Sequence, residues 1–178
     1  LAWLSGCKTM LDAYHKKECV YSQFASRIYG REITGKGPER QLGKVAVLGL
    51  GYGMGEDKFI ETAATDPRTP DISTTEQVNV YDYRAQQIIT KQLTKGKIIV
   101  DLYRKTYKEV PELWKRTEAA LTEAIQNQTS VRCGLLTYGC RGEWAWVVLP
   151  SGRPLWYYQP EITRVPSRWR EGQTEMKI

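Results

Sequence analysis

The stretch LGKVAVLGLGYGMGEDKF, Leu42 to Phe59, decides how the chain is read. Gly49, Gly51, Gly53 and Gly55 alternate behind the apolar run Val45 to Leu48. Strand, glycine loop and helix in succession would make a dinucleotide site. That fingerprint requires GxGxxG, a preceding strand and an acidic residue about 20 positions further on. Counted from Gly49 the third glycine falls on Met54, and counted from Gly51 it falls on Glu56. Both registers fail, and a phosphate loop of the GxxxxGK[ST] kind is absent as well.

A helical spacing fits instead. Arg40, Lys44, Leu48 and Tyr52 stand four apart, and at about 3.6 residues per turn each is rotated only about 40° from the last. Pro38 suits a first helical turn, and Glu39 adds a carboxylate near the positive end of the helix dipole. Over a helix from Pro38 to Tyr52 the four side chains form one slowly turning stripe. Two cations lead, an apolar side chain follows, and a ring closes it. That order matches a nucleoside triphosphate laid along a helix, with phosphates on Arg40 and Lys44, the sugar on Leu48 and a base face at Tyr52. Each charged hydrogen bond contributes roughly 1.5–3 kcal/mol. Gly49, Gly51 and Gly53 then leave room for a backbone or a base to approach, and Gly55 ends the helix before another begins at Glu56. The spacing alone is equally compatible with an ordinary basic helix face and loosely packed glycines.

Outside this stretch the chain is an ordinary globular sequence of 178 residues, enough for one domain or one lobe of a larger protein. Its net charge of +6 favours polyanionic partners over acidic proteins or neutral sugars. Cys7, Cys19, Cys133 and Cys140 contain no CxxC pair and His15 is the single histidine, which argues against a zinc site. Cys133 and Cys140 could face each other across a hairpin, but free thiols in a reducing cytosol are the preferred reading. No signal peptide is recognisable, and the apolar stretches fall far short of the roughly 20 residues needed to cross a bilayer. The chain opens in a helical pattern without Met and reads as a piece of a longer protein.

Leu4, Cys7, Leu11 and Tyr14 predict one helix over Leu1 to Tyr14, and Val20, Phe24, Ile28 and Tyr29 a second. Residues 30–37 read as a loop. Asp66 to Val80, with Pro67, Pro70 and Asp71, reads as an exposed loop. Helical patterning resumes near Tyr83, breaks around Gly96, and returns over Lys97 to Tyr107 and again after Pro111. In that last helix Leu113, Trp114, Thr117, Leu121, Ala124 and Ile125 make one stripe. Val131 to Tyr138, Trp144 to Leu149 and Leu155 to Tyr158 read as strands with turns between them. A charged tail follows from Glu161, with Arg164, Arg168 and Arg170 around Trp169. The expected class is α+β, a mostly helical lobe followed by a small antiparallel β meander.

The motif R-x-x-x-K-x-x-x-[FYL]-x-x-x-Y-G, here RQLGKVAVLGLGYGMG from Arg40 to Gly55, resembles the fingers helix of family A (DNA polymerase I-like) DNA polymerases. LAWLSG at Leu1 is similar to the helix after that family's first palm carboxylate motif. ECVYSQFASRIYG (Glu18 to Gly30) resembles the approach to the fingers, and VDLYRKTYKEVPELWKRTEAALTEAI (Val100 to Ile125) the tyrosine-rich helix pair behind them. LPSGRPLWYYQPEI (Leu149 to Ile162) resembles the β-turn returning to the palm, in its bacteriophage-type form. The resemblance implies a fingers-region fragment. Residues 1–130 would be the helical fingers, with the end of a palm helix at 1–15. Residues 131–160 would be a β meander, and 161–178 a basic tail leading back to the palm.

By the same resemblance Arg40 and Lys44 bind the incoming deoxynucleoside triphosphate, and Lys44 is the candidate general acid for the departing pyrophosphate. Leu48, where Phe or Tyr is commoner, lies against the sugar. Tyr52 and Gly53 sit by the templating base. Tyr21 lies near the position of a nucleotide-facing histidine. Arg153 touches the nucleic-acid backbone or is simply a turn residue. The implied partners are a DNA primer-template, deoxynucleoside triphosphates and the rest of the polymerase chain, with no membrane, in the cytoplasm of a bacterial or phage-infected cell. Nucleotide addition requires carboxylates holding two Mg²⁺ ions about 3.5–4 Å apart. The family's metal motifs would lie before Leu1 and after Ile178; Asp12, Asp82 and Asp101 do not match them and read as helix-surface residues. Mg²⁺ is therefore expected in the full-length parent and none on this chain, which should not extend primers alone. The alternatives are a non-catalytic basic nucleic-acid-binding module derived from this lobe, and an unrelated helical interaction domain.

Overall fold

A computed structural model describes residues 1–82, 85–166 and 174–177. The fold is α+β, and the chain divides into two units, Leu1–Pro111 and Glu112–Ile178. The first unit runs α1 (Ala2–Ser5), α2 (Lys8–His15), α3 (Val20–Tyr29), α4 (Pro38–Gly51), α5 (Glu56–Ala64), β1 (Thr75–Asp82), β2 (Gln87–Thr94) and α6 (Lys95–Thr106). Helix α7 (Glu109–Asn127) crosses into the second unit, which continues with β3 (Ser130–Cys133), β4 (Leu136–Arg141), β5 (Trp144–Val148), β6 (Pro154–Tyr158), β7 (Thr163–Pro166) and β8 (Thr174–Lys177).

The first unit is built around an aromatic trio. Phe24 of α3 meets Tyr103 of α6 and Tyr107 just beyond α6, each at 5.6 Å between ring centroids, and the two tyrosines stand 5.0 Å apart. All three rings are buried, as are Leu42 of α4 and Phe59 of α5. Burial pushes the Tyr107 hydroxyl up to about 12, with Arg27 opposing it. The expected single helix over Leu1 to Tyr14 is in fact two. Gly6 adopts a left-handed conformation (φ 70°) that ends α1, and Ala2, Cys7, Met10 and Ala13 turn inward while Tyr14 faces solvent.

The stretch after α5 corrects a second expectation. Thr75 to Val80 is not loop and the segment before Gly96 is not helix. Strands β1 and β2 pair antiparallel from Thr75↔Thr94 to Asp82↔Gln87, so Asp82 is a strand residue. Tyr83 lies outside the described residues. Most of the hairpin is exposed on both faces, so no buried stripe marks its period, and β-branched Val78, Val80, Ile88, Ile89 and Thr90 decide for strand. Gly96 does not break a helix but lies in the first turn of α6. A Cβ there would stand 2.5 Å from Ile60 Cγ1, so the glycine lets α5 and α6 close together. Pro111 sits in the first turn of α7, where its missing N–H has no intrahelical acceptor to lose.

In the second unit β3 to β6 form one antiparallel sheet in sequence order. It has four strands where three were expected, because Gly134 (φ 60°) and Leu135 turn the chain inside the segment read as one. Leu136, Tyr138, Cys140, Ala145 and Val147 make its buried face. Gln128 ties the end of α7 to the sheet: its carbonyl accepts from Gly142 N–H at 2.6 Å, and its amide lies 3.4 Å from Cys140 Sγ. Cys133 is paired in register with Leu136 and Cys140 with Ala145, and all four cysteines are free thiols. β7 pairs with β8 from Thr163↔Lys177 to Pro166↔Thr174. Arg164 is in β7, whereas Arg168, Trp169 and Arg170 lie outside the described residues.

Candidate functional site

Helix α4 carries the spaced residues. Gly37 is its extended N-cap and Pro38 its first residue, so the helix starts where proline costs no hydrogen bond. Leu42, Gly43, Ala46, Val47, Leu50 and Gly51 face inward. The other side carries Arg40, half-buried, then Lys44, exposed, then Leu48, then Tyr52 at the C-cap. Leu48 is 45% exposed, and Tyr52, at 91%, stands almost wholly in solvent. Glu39, the one acid in the first turn, is taken up by Arg31. Among the described residues neither Arg40 nor Lys44 has a carboxylate partner. The N-terminal half of α4 therefore presents two uncompensated cations together with the positive end of its own dipole.

Helix α3 supplies what surrounds Arg40. Tyr21 lies beneath the guanidinium, 5.6 Å from carbon to ring centroid. Cys19, the N-cap of α3, accepts from Arg40 Nη2 at 3.4 Å. Partial burial pushes the Cys19 thiol up, but the Ser22 backbone N–H and hydroxyl, Arg40 and the Tyr21 backbone N–H outweigh it and bring it down to about 7. This cluster exists because α3 and α4 approach closely at Gly43. A Cβ there would stand 2.4 Å from the Tyr21 carbonyl oxygen and 3.0 Å from Ala25 Cβ. Neither Cys19 nor Gly43 was singled out from the sequence. A lone glycine inside a helical pattern, costing about 1 kcal/mol against alanine, is the signal that points to such a contact.

The glycines at the other end of α4 have separate jobs, and three differ from expectation. The space beside Gly49 is filled by Met54, whose Sδ and Cε would lie 3.1 Å from an added Cβ. That beside Gly51 is filled by Leu1 and the Tyr103 hydroxyl, at 3.3 and 3.4 Å. Both positions serve the chain's own packing and leave no gap for a base. Gly53, next to Tyr52, has φ 78° and nothing within 4 Å of its Cβ position, so the open end of the stripe lies there. Gly55 does not end α4; it is the N-cap of α5.

Arg153 belongs to the second unit. It is exposed in the β5–β6 turn, whose backbone closes through Leu149 N–H to Arg153 O at 2.9 Å. Asp12 is an exposed residue of α2, and Asp101 on α6 pairs with Lys97 at 2.5 Å. Among the described residues no three His, Cys, Asp or Glu side chains come together to hold a metal ion. No helix among them is long and apolar enough to cross a membrane.

Comparison with known proteins finds similarity to a DNA polymerase of Bacillus phage SP02, 27% identical over 168 residues. The match covers 91% of this chain and 22% of that relative, so the chain spans about a fifth of the relative's length. No family model and no solved structure matches.

Proposed function

We propose that this chain is the nucleotide-binding fingers region of a family A, bacteriophage-type DNA polymerase, and that α4 receives the incoming deoxynucleoside triphosphate. The observation that carries the reading is the exposed side of α4: two cations in its N-terminal half that have no carboxylate partner among the described residues, then Leu48, then an almost fully exposed Tyr52. The similarity to a phage protein named DNA polymerase supports it.

In this reading Arg40 and Lys44 draw the triphosphate onto the N-terminal half of α4. The dipole adds to them, and charged donors give the strongest hydrogen bonds available to phosphate. Leu48 packs against the sugar without a polar contact. Tyr52 offers its ring to the templating base, and the bare backbone at Gly53 lets that base come close. Tyr21 and Cys19 hold the Arg40 guanidinium in place, so Tyr21 serves the nucleotide through Arg40. Lys44, one turn further along, gives a proton to the departing pyrophosphate. The Mg²⁺ ions of such a polymerase supply the nucleophile-activating and charge-neutralising chemistry. In this reading their carboxylate ligands come from the longer parent.

The test is amide chemical-shift mapping of the 178-residue chain titrated with a deoxynucleoside triphosphate. Shifts centred on Arg40 to Tyr52, lost in Arg40→Ala, are expected. Shifts confined to β3–β6 would contradict the assignment.

A further inference from the structure

The sheet of the second unit has a second face, opposite its buried one. Register places Trp144 opposite Tyr158 and Trp146 opposite Trp156, all on the side away from the buried Tyr138, Cys140, Ala145 and Val147. The centroids of Trp144 and Tyr158 are 4.9 Å apart, those of Trp146 and Trp156 5.4 Å, and those of the diagonal pair Trp144 and Trp156 6.4 Å. Trp144, Trp156 and Tyr158 are about half exposed, at 48%, 57% and 56%. Three of the chain's six tryptophans thus form one ladder on a solvent-facing sheet. Gly139, opposite Trp146, is the seat of that ladder. A Cβ there would lie 2.3 Å from the indole, so the Trp146 ring rests directly on the β4 backbone.

The charges on the sheet fix the kind of partner. Between Ser130 and Pro160 the charged residues are Arg132, Arg141, Arg153 and Glu143. Arg141 pairs in register with Trp144, and Arg132 stands on the same face through Thr137. Glu143 is engaged by Gln159 at 3.0 Å and Tyr158 at 3.4 Å. Exposed rings bordered by arginines suit a ligand that is flat and apolar in repeated units and anionic between them. Unpaired bases on a phosphate backbone have that character, and aromatic side chains on a sheet hold them by stacking.

We propose that the Trp144–Trp146–Trp156–Tyr158 face binds a single-stranded stretch of nucleic acid. Its bases stack on Trp156, Trp144 and Tyr158, and its phosphates lie against Arg141 and Arg132. The proposal rests on the sheet alone and does not depend on the α4 reading.

The test compares a fluorescent oligothymidylate with an abasic strand of equal length, by anisotropy at low salt, on the 178-residue chain. The abasic strand keeps the phosphates and loses the bases. The oligothymidylate binds more tightly, and Trp156→Ala removes that preference, weakening oligothymidylate roughly 5- to 150-fold while leaving abasic-strand affinity unchanged. Trp156→Phe retains most of the preference, and Arg141→Gln weakens both strands and flattens the salt dependence. Equal affinity for the two strands overturns the proposal. So does a Trp156→Ala chain that keeps the preference, or a wild-type dimer in sedimentation that Trp156→Ala dissolves, which would make a second copy the occupant.

Discussion

Gly43→Ala tests the contact on which the α4 site is built. The added Cβ would stand 2.4 Å from the Tyr21 carbonyl oxygen, 3.0 Å from Ala25 Cβ and 3.1 Å from Ala25 N. The first and last are backbone atoms of α3, so no rotamer change relieves the clash. Non-bonded carbon contacts favour about 3.5–4.0 Å, so the two helices must part by about 1 Å. Overpacking of this kind costs about 1–3 kcal/mol, and the better helix propensity of alanine returns about 1 kcal/mol. A backbone clash this short belongs at the upper end, for a net loss of about 2 kcal/mol. At roughly 2–8 °C per kcal/mol for domains in this size range, the thermal midpoint followed by circular dichroism should fall by about 4–16 °C. Gly35→Ala is the control, since nothing lies within 4 Å of its Cβ position. It should move the midpoint little. A Gly43→Ala chain that melts with the wild type or above it would refute the close approach of α3 and α4, and with it the placement of Tyr21 and Cys19 beside Arg40.

Three further outcomes are expected. Alkylation of Cys19, followed by mass spectrometry, should rise with a midpoint near pH 7 and shift upward in Arg40→Gln, while buried Cys7 and Cys140 stay unreacted in the native chain; a midpoint at the ordinary thiol value of about 8.5 refutes the arrangement. The Arg68 side chain and backbone N–H, joined by Gln41 at 2.7 Å, hold the Asp66 carboxyl well below the usual carboxylate range. Its stabilising contribution is therefore complete above about pH 4 and is lost as the pH falls toward the lower folded value. Asp66→Asn should lower the urea midpoint at pH 6 and flatten its acid dependence; an unchanged acid limb refutes the role. In the longer polymerase that the proposed function implies, Lys44→Ala should slow single-turnover nucleotide addition by roughly 10²–10⁴ if Lys44 is the general acid, and a normal rate removes that role.

The parts legible in the sequence were those with a buried side to set the period. Helix α4 was readable because Leu42, Ala46, Val47 and Leu50 leave the Arg40–Lys44–Leu48 stripe on the opposite side, and Pro38 marks its start. The strands β5 and β6 were readable from aromatic and β-branched runs between glycine and proline turns. The β1–β2 hairpin was missed because most of it is exposed on both faces, and the prolines just before it suggested loop. Gly6 was missed because one left-handed residue re-aims a helix without disturbing a four-residue pattern in print. In the site, the cations and the ring were legible as spacing. Tyr21 came in only through the family resemblance, and Cys19 was not seen, because both reach Arg40 through a helix contact that spacing along one segment cannot express. The glycine run was the most misleading feature, since Gly49 and Gly51 receive Met54, Leu1 and Tyr103 from the chain itself.

The root of the β1–β2 hairpin is tied to the helices on either side of it. Lys95 N–H reaches Thr74 O and Gly96 N–H reaches Ile72 O, each at 2.9 Å, and the Thr94 hydroxyl donates to Glu56 at 2.6 Å. Those bonds secure the passage from α5 to α6 whatever lies beyond Thr75. A two-stranded ribbon alone is marginal in water, and doubling a flexible loop costs only about 0.6 kcal/mol. The arm can thus change in length at small cost while α5 and α6 stay joined at its root. It is the natural attachment point for a tag, a spectroscopic label or an accessory segment in this lobe.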